Sequence, residues 1–559
     1  MPYLRSFART VFLAPVWACA PPGSAAPTSS TLAPAESLYA DLRDLRDRIE
    51  IWTASGGSDG TGRSSLARLV SKHNVLRSRV IRRLAIIDSA RLEPNDARAF
   101  GIMQRTLTRE LDSLSPPTFQ RQRAETRPDC AFNASRFSES KAALDSLRTR
   151  IYTCYGWAQS HVVVGQDTID RLSVLGQLAR IGNPSARERL FRTLEPVWRS
   201  INGDNGPASP YRQLIAREMR LQQDGQLPSL IQARASGIQP DSLERWLLAM
   251  LATWQRGMPD SGVEPWNWFY LAGDASRTLS PRIPRARLFE INAAVYRSLG
   301  APVDSLRIRY DTEPRAGKTP VAYATFGVRP RFMNGAWRPA VPWVFATYRA
   351  GGLDNLNELL HETGHAVHIA AIRTRPAFTD WPDSDPFTEA LADFIALEVY
   401  EPAWQLRWLG DSVPLDDGLR ARYAGIVMDV SWALFELRMQ RDPTADPNRV
   451  WTGITHEYLR IRPHPELSWW AMRGQLVDAP GYMMNYAAGA ILIAAIRART
   501  EELHGQFRMG APSWYRWIAP RLFRFGLERP SREVVEEFLG GPVTPAAILS
   551  DMRRLATSD

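Results

Sequence analysis

Apolar residues recur at helical spacing over most of the chain. From Glu36 to about Arg256 they return every three or four positions, as in Leu38, Leu42, Leu45 and Ile49. Leu66, Val70, Val75, Val80 and Leu84 form a second such stripe. Each predicts an amphipathic helix with one buried face. Ser115-Pro116-Pro117, Asn183-Pro184 and the stretch Gly203–Pro210 interrupt the pattern. No unit repeats at a fixed period, which excludes a solenoid. Between Leu306 and Tyr348 the period shortens. Leu306–Tyr310 alternates, and Trp343–Tyr348 is β-branched and aromatic, so both predict short strands. The segment Val341–Tyr348 is either an edge strand able to pair with an extended peptide or a buried one. Gly351-Gly352 then breaks the chain, and helical spacing resumes to the end. Ala487–Ile496 reads as a buried helix, too short to span a bilayer. The expectation is a mainly α protein with a small β-sheet just before one particular helix.

Composition narrows this picture. The chain has 559 residues, 44% hydrophobic and 23% charged, which suits a folded protein with room for a deep internal site. The net charge of +10 comes from 69 basic and 59 acidic residues. Lys72, Lys141 and Lys318 are the lysines; the other basic residues are arginines scattered among carboxylates. They form no basic stripe with aromatic platforms, so no nucleic-acid partner is expected. They read as solvated side chains paired with acids.

The start of the chain suggests export. Arg5 and Arg9 precede the apolar run Val11–Ala18, and Cys19 follows. Residues 1–19 therefore read as a secretory signal, with Val16-Trp17-Ala18-Cys19 as a lipobox candidate. Either plain cleavage or membrane anchoring through a lipidated Cys19 follows, at a periplasmic or cell-surface location. Residues 20–35, rich in Pro, Ala and Ser, read as a disordered linker. Cys130 and Cys154 remain, as a disulfide or as two buried thiols. Residues 36–300 are expected to form an N-terminal helical half, and 301–559 a second half that carries the chemistry.

That chemistry is written in His361-Glu362-Thr363-Gly364-His365. Leu353, Leu356, Leu360 and Val367 mark the buried stripe of its helix. Histidines at i and i+4 project from one face, one turn apart, and can share a zinc ion at about 2.0–2.1 Å. Glu362 between them can reach a water in the fourth position. A third ligand further along the same helix would need the metzincin pattern, but those positions hold His368 and Ala371. His368 itself reads as packing or as support for the ligands. The alternative is a later helix. Asp385-Pro386 is a helix start, with Asp385 as N-cap and Pro386 at N1. On that helix Glu389 and Asp393 share a face inside an otherwise apolar run. Glu389 is then the third ligand, and Asp393 accepts the outer N–H of a ligand histidine. One Zn2+ per chain is expected.

These motifs resemble known peptidases. His365 and Glu389 stand as far apart as in the angiotensin-converting-enzyme family of gluzincin zinc peptidases, and DPFTEALAD at 385–393 resembles its P-G-F-H-E-A-I-G-D segment. HETGHAVH at 361–368 is similar to H-E-F-G-H-A-L-H of the thimet oligopeptidase and oligoendopeptidase family. Gly317-Lys318 with Ala322-Tyr323, and Pro265–Tyr270, resemble further segments of that second family. Trp198-Arg199 resembles a segment of the first. The resemblance implies two helical halves flanking a deep channel with zinc on its floor, and hydrolysis of short peptides. The product pattern would be that of an oligopeptidase or a dipeptidyl carboxypeptidase.

It also implies further site residues. Gly481–Tyr486 resembles G-Y-D-A-Q-Y, which makes Tyr482 and Tyr486 candidates for stabilising an oxyanion; core packing is their other reading. The oligopeptidases carry another tyrosine where this chain has Gly489. Gln475 stands where the converting-enzyme family has a histidine, and Arg473 where it has a carboxylate-binding lysine. His456 and His464 are candidates to replace that histidine; His73, His161 and His504 carry no local signal. The altered set leaves a second expectation open: a catalytically weak, peptide-binding surface lipoprotein of the same fold.

Overall fold

In the computed structural model, residues 31–57, 62–109, 127–133, 138–222, 227–258, 262–315, 318 and 321–556 are described. The signal and lipobox reading, including Cys19, lies outside them, as does most of the 20–35 linker. Helix makes up 66% and strand 6%, so the mainly α expectation holds. Among the described residues no helix is long and apolar enough to cross a membrane.

The first helix, α1, spans Ala33–Ala54. It takes in the last three residues expected to belong to the linker. Pro34 in its first turn does not prevent this, because that turn needs no amide hydrogen from the proline. Its stripe is as read: Leu42 and Ile49 are buried, with Leu38 and Leu45 packed at the margin. On the next helix Leu66, Val70, Val80 and Leu84 are buried, but Val75 is 60% exposed. Val75 is apolar, yet five residues from Val70 and from Val80 is off the face that repeats every 3.6.

The main core begins beyond these helices, at Leu144, and runs to Leu555. Cys130 and Cys154 are joined as a disulfide, the first of the two readings. Several arginines read as solvated are instead buried within ion pairs, Arg329, Arg422 and Arg497 among them. Burying such charges is tolerable only because each meets a carboxylate.

The sheet before the key helix has three strands: β1 (Arg309–Asp311), β2 (Tyr323–Val328) and β3 (Val341–Phe345). Their order is β1-β3-β2. β3 pairs parallel to β1, Tyr310 opposite Val344, and antiparallel to β2, Ala324 opposite Val344. β3 is thus the central strand, so the buried reading of this segment holds and the edge reading fails. Pairing on both sides leaves it no free ladder for a peptide. Lys318 ties β1 to the end of β3: its Nζ donates to the carbonyls of Asp311, at 2.6 Å, and Ala346.

Candidate metal centre

Helix α2 spans Leu353–Ala371 and buries Leu353, Leu356, Leu360 and Val367, as the stripe predicts. Helix α3 spans Asp385–Ala396. Its N-cap is Ser384, not Asp385: the Ser384 hydroxyl accepts from the Phe387 amide. Asp385 is drawn into the first turn, where Asn485 donates to it at 3.4 Å. The one-residue shift leaves Glu389 and Asp393 on one face.

α2 and α3 cross closely at Gly364. A Cβ there would lie 2.4 Å from the Ala392 carbonyl oxygen, so only glycine lets the backbones meet. The approach at Gly489 on helix α5 (Met483–His504) is looser: a Cβ would stand 3.4 Å from the Pro386 carbonyl oxygen, an ordinary contact. The position that holds a tyrosine in the oligopeptidases is here part of a helix crossing.

The crossing brings His361, His365 and Glu389 together. One ligand atom from each lies within 4.8 Å of the others. His361 Nε2 is 3.4 Å from Glu389 Oε2, and His365 Nε2 is 3.7 Å from Glu389 Oε1. Ligands of a tetrahedral zinc at about 2.0–2.1 Å stand about 3.3 Å apart, so these spacings suit one ion. His361 Nδ1 is 2.7 Å from Asp393 Oδ1. The N–H on that side leaves the Nε2 lone pair free for a metal. The two imidazole rings are perpendicular, 4.7 Å apart.

The electrostatics ask for a cation. Glu362, Glu389 and Asp393 converge, and among the described residues no arginine or lysine forms an ion pair with any of them. Burial opposes a charge on His361, but Asp393 and Glu389 outweigh it and raise its proton affinity. Burial holds His365 neutral, at about 4. Burial, with Glu389, Glu358 and Asp393, pushes Glu362 up to about 7, against the pull of His361. Its Oε2 is buried without a hydrogen-bond partner. Two imidazoles and a carboxylate are a suitable donor set for zinc.

The remaining predicted residues fall on two other elements. Tyr482 immediately precedes α5 and Tyr486 lies in its first turn, with ring centroids 5.6 Å apart. Both hydroxyls feel the charge of Glu389, and Gln475 lies in hydrogen-bonding contact with Tyr486. Arg473 sits with its guanidinium 4.5 Å over Trp432 and 5.5 Å over Tyr486. It is already paired with Asp429 on helix α4 (Leu415–Arg441). His368 packs between Trp381 and Phe523 with both nitrogens unpartnered, the packing role rather than a ligand's. His456 is engaged by the Ile461 carbonyl, and His464 by Glu264 and Glu466.

Sequence reading missed Asp429 and Trp381, whose ring centroid lies 5.5 Å from that of His365. Neither has a local motif. The three-residue step from Asp429 to Trp432 on one helix face was the available hint. No protein-family model matches the chain, and no curated protein matches it.

Proposed function

We propose that the protein is an exported zinc metallopeptidase of the gluzincin type that hydrolyses short peptides. The observation that carries this reading is the convergence of His361, His365 and Glu389 beside a buried, unpartnered Glu362 oxygen. Zinc, when bound by that trio, supplies Lewis acidity toward the scissile carbonyl and acidifies water. Glu362 takes the proton of the attacking water and delivers it to the leaving amine. Asp393 holds His361 in the tautomer that presents Nε2. Tyr482 and Tyr486 offer O–H donors to the developing oxyanion. A channel between two helical halves would admit unfolded peptides and exclude folded proteins. The Cys130–Cys154 disulfide suits an oxidising compartment outside the cytoplasm.

The test is cleavage of a mixed peptide library by zinc-loaded protein, with Glu362→Gln alongside. Hydrolysis by the wild type that falls about 100- to 10,000-fold in the variant supports the reading. Peptide binding by both proteins with cleavage by neither would leave a peptide-binding protein instead.

A further inference from the structure

Helix α5 begins without a cap of its own: Tyr482, at the N-cap position, makes no side-chain hydrogen bond to the first turn. A carboxylate from α4 takes that part. Glu436 Oε1 accepts from the Gly481 amide at 2.6 Å, and its Oε2 accepts from the Met483 amide at 3.2 Å. Glu436 is 2% exposed, and among the described residues it makes no ion pair. Burying a carboxylate away from any cation is costly; two amides at a helix start, with the helix dipole behind them, offset that cost.

The two amides belong to the residues on either side of Tyr482, so the carboxylate straddles this tyrosine in the backbone. The chain enters the grip through Gly481, whose φ is +82° and where a Cβ would lie 2.6 Å from the Pro228 carbonyl carbon. Gln440, one turn beyond Glu436, accepts from the Ser229 amide at 3.1 Å and so holds the segment that Gly481 packs against. Asp429, Trp432, Glu436 and Gln440 step by three and four along one face of α4. Asp429 pairs with Arg473, and Trp432 Nε1 donates to the Trp470 carbonyl at 2.9 Å. One helix face therefore holds the chain at Trp470, Arg473, Gly481 and Met483.

The same stretch meets the metal ligands further along. Tyr482, Tyr486 and Gly489 are spaced by four and three and share a face of α5. At Gly489 that face meets α3, where a Cβ would stand 3.7 Å from the Cβ of Glu389. Asn485 donates to Asp385 at the start of α3. The register of α5 against the trio is thus set at two places, by contact with Glu389 at one and by Glu436 at the other. A displacement of about 1 Å in a group that must meet a developing charge costs on the order of 100-fold in rate.

We infer that Glu436 is a positioning residue for the reaction: by holding the amides before and after Tyr482, it fixes where the Tyr482 hydroxyl stands relative to His361, His365 and Glu389. This rests on the peptidase reading above and on the oxyanion role given there to Tyr482. Glu436 touches neither metal nor substrate and acts only through the tyrosine.

A double-mutant cycle on a fluorogenic peptide tests it. Glu436→Gln turns an NH2 group toward one of the two amides, so it should lower kcat by roughly 10- to 100-fold while KM stays within about threefold and zinc content is unchanged. In a Tyr482→Phe background, which lacks the hydroxyl to be positioned, the same substitution should change kcat by less than about threefold. A cap that served stability alone gives equal losses in both backgrounds, and that result overturns the inference. So does an unchanged kcat in Glu436→Gln. Glu436→Asp keeps the charge but shortens the reach, and is the second variant; if neither variant folds where the wild type does, Glu436 serves the whole fold and the inference falls. Zinc-loaded wild type that cleaves no peptide sinks the peptidase reading instead. Positioning is then decided by fluorine NMR of fluorotyrosine-labelled protein, the Tyr482 resonance being assigned with Tyr482→Phe. A Tyr482 resonance that moves in Glu436→Gln while those outside α5 stay in place upholds it; one that does not move overturns it.

Discussion

Two buried clusters of charge stand almost side by side, and they are built on opposite principles. One fastens α1 to the segment 373–381. Asp47 holds Arg329 in a fork, at 2.8 and 3.1 Å. Arg329 and Arg43 both reach Asp380. Glu36 and Asp96 close on Arg375 at 2.7 and 2.6 Å. Cations and acids are interleaved, and every one of these groups has its partner inside the protein. The other cluster is the metal set, joined to the first through Trp381, the neighbour of Asp380. There three carboxylates meet two imidazoles, none of them in an ion pair with an arginine or lysine among the described residues, and a Glu362 oxygen stays unpartnered. A charge cluster that closes on itself reads as structure. One that is short of a cation reads as a site.

Breaking the closed cluster should have the largest effect on stability. Asp47→Ala removes the fork from Arg329 and leaves it Asp380 alone; it should cost about 3 kcal/mol in denaturant unfolding while zinc content stays at the wild-type level. A loss of metal without a loss of stability would erase the distinction between the two clusters. In the open cluster, Asp393→Asn removes the acceptor that orients His361. It should weaken zinc affinity by roughly 10–100-fold in a chelator competition, with unfolding of the metal-free protein changed far less.

The crossing that assembles the open cluster can be pried apart directly. Gly364→Ala forces a methyl group toward the Ala392 carbonyl and should cost about 1–3 kcal/mol, with weakened zinc binding as its second readout. The smallest effect is expected beside the site. His368→Leu replaces a buried ring that makes no hydrogen bond, so stability should stay within about 1 kcal/mol of wild type or rise. Zinc stoichiometry should not move. A lost metal would show that His368 supports the ligands after all.

How much of this was legible in the sequence depended on the range of the interactions. His361 and His365 are one helical turn apart, and Glu389 and Asp393 are another such pair, so local periodicity was enough to place four residues. The cap of α3 was missed by one residue, because Ser384 and Asp385 are both good caps and only the backbone path chooses. The central position of β3 depends on β1, more than 30 residues earlier, and no local pattern records which strands flank it. The Asp429 partner of Arg473 and the Asp47 partner of Arg329 are equally remote. Scattered arginines look alike in sequence whether they end in solvent or in a buried fork. Gly364 looks like a filler position in the motif; its purpose emerges only where two helices touch.

The central claim is that His361, His365 and Glu389 hold one metal ion. Elemental analysis of the purified protein after zinc loading and gel filtration tests it most directly, with His361→Ala and Glu389→Ala measured in parallel. Close to one zinc per chain is expected in the wild type, and a large loss in both variants. A wild type that retains no zinc, or variants that retain as much as the wild type, would contradict it.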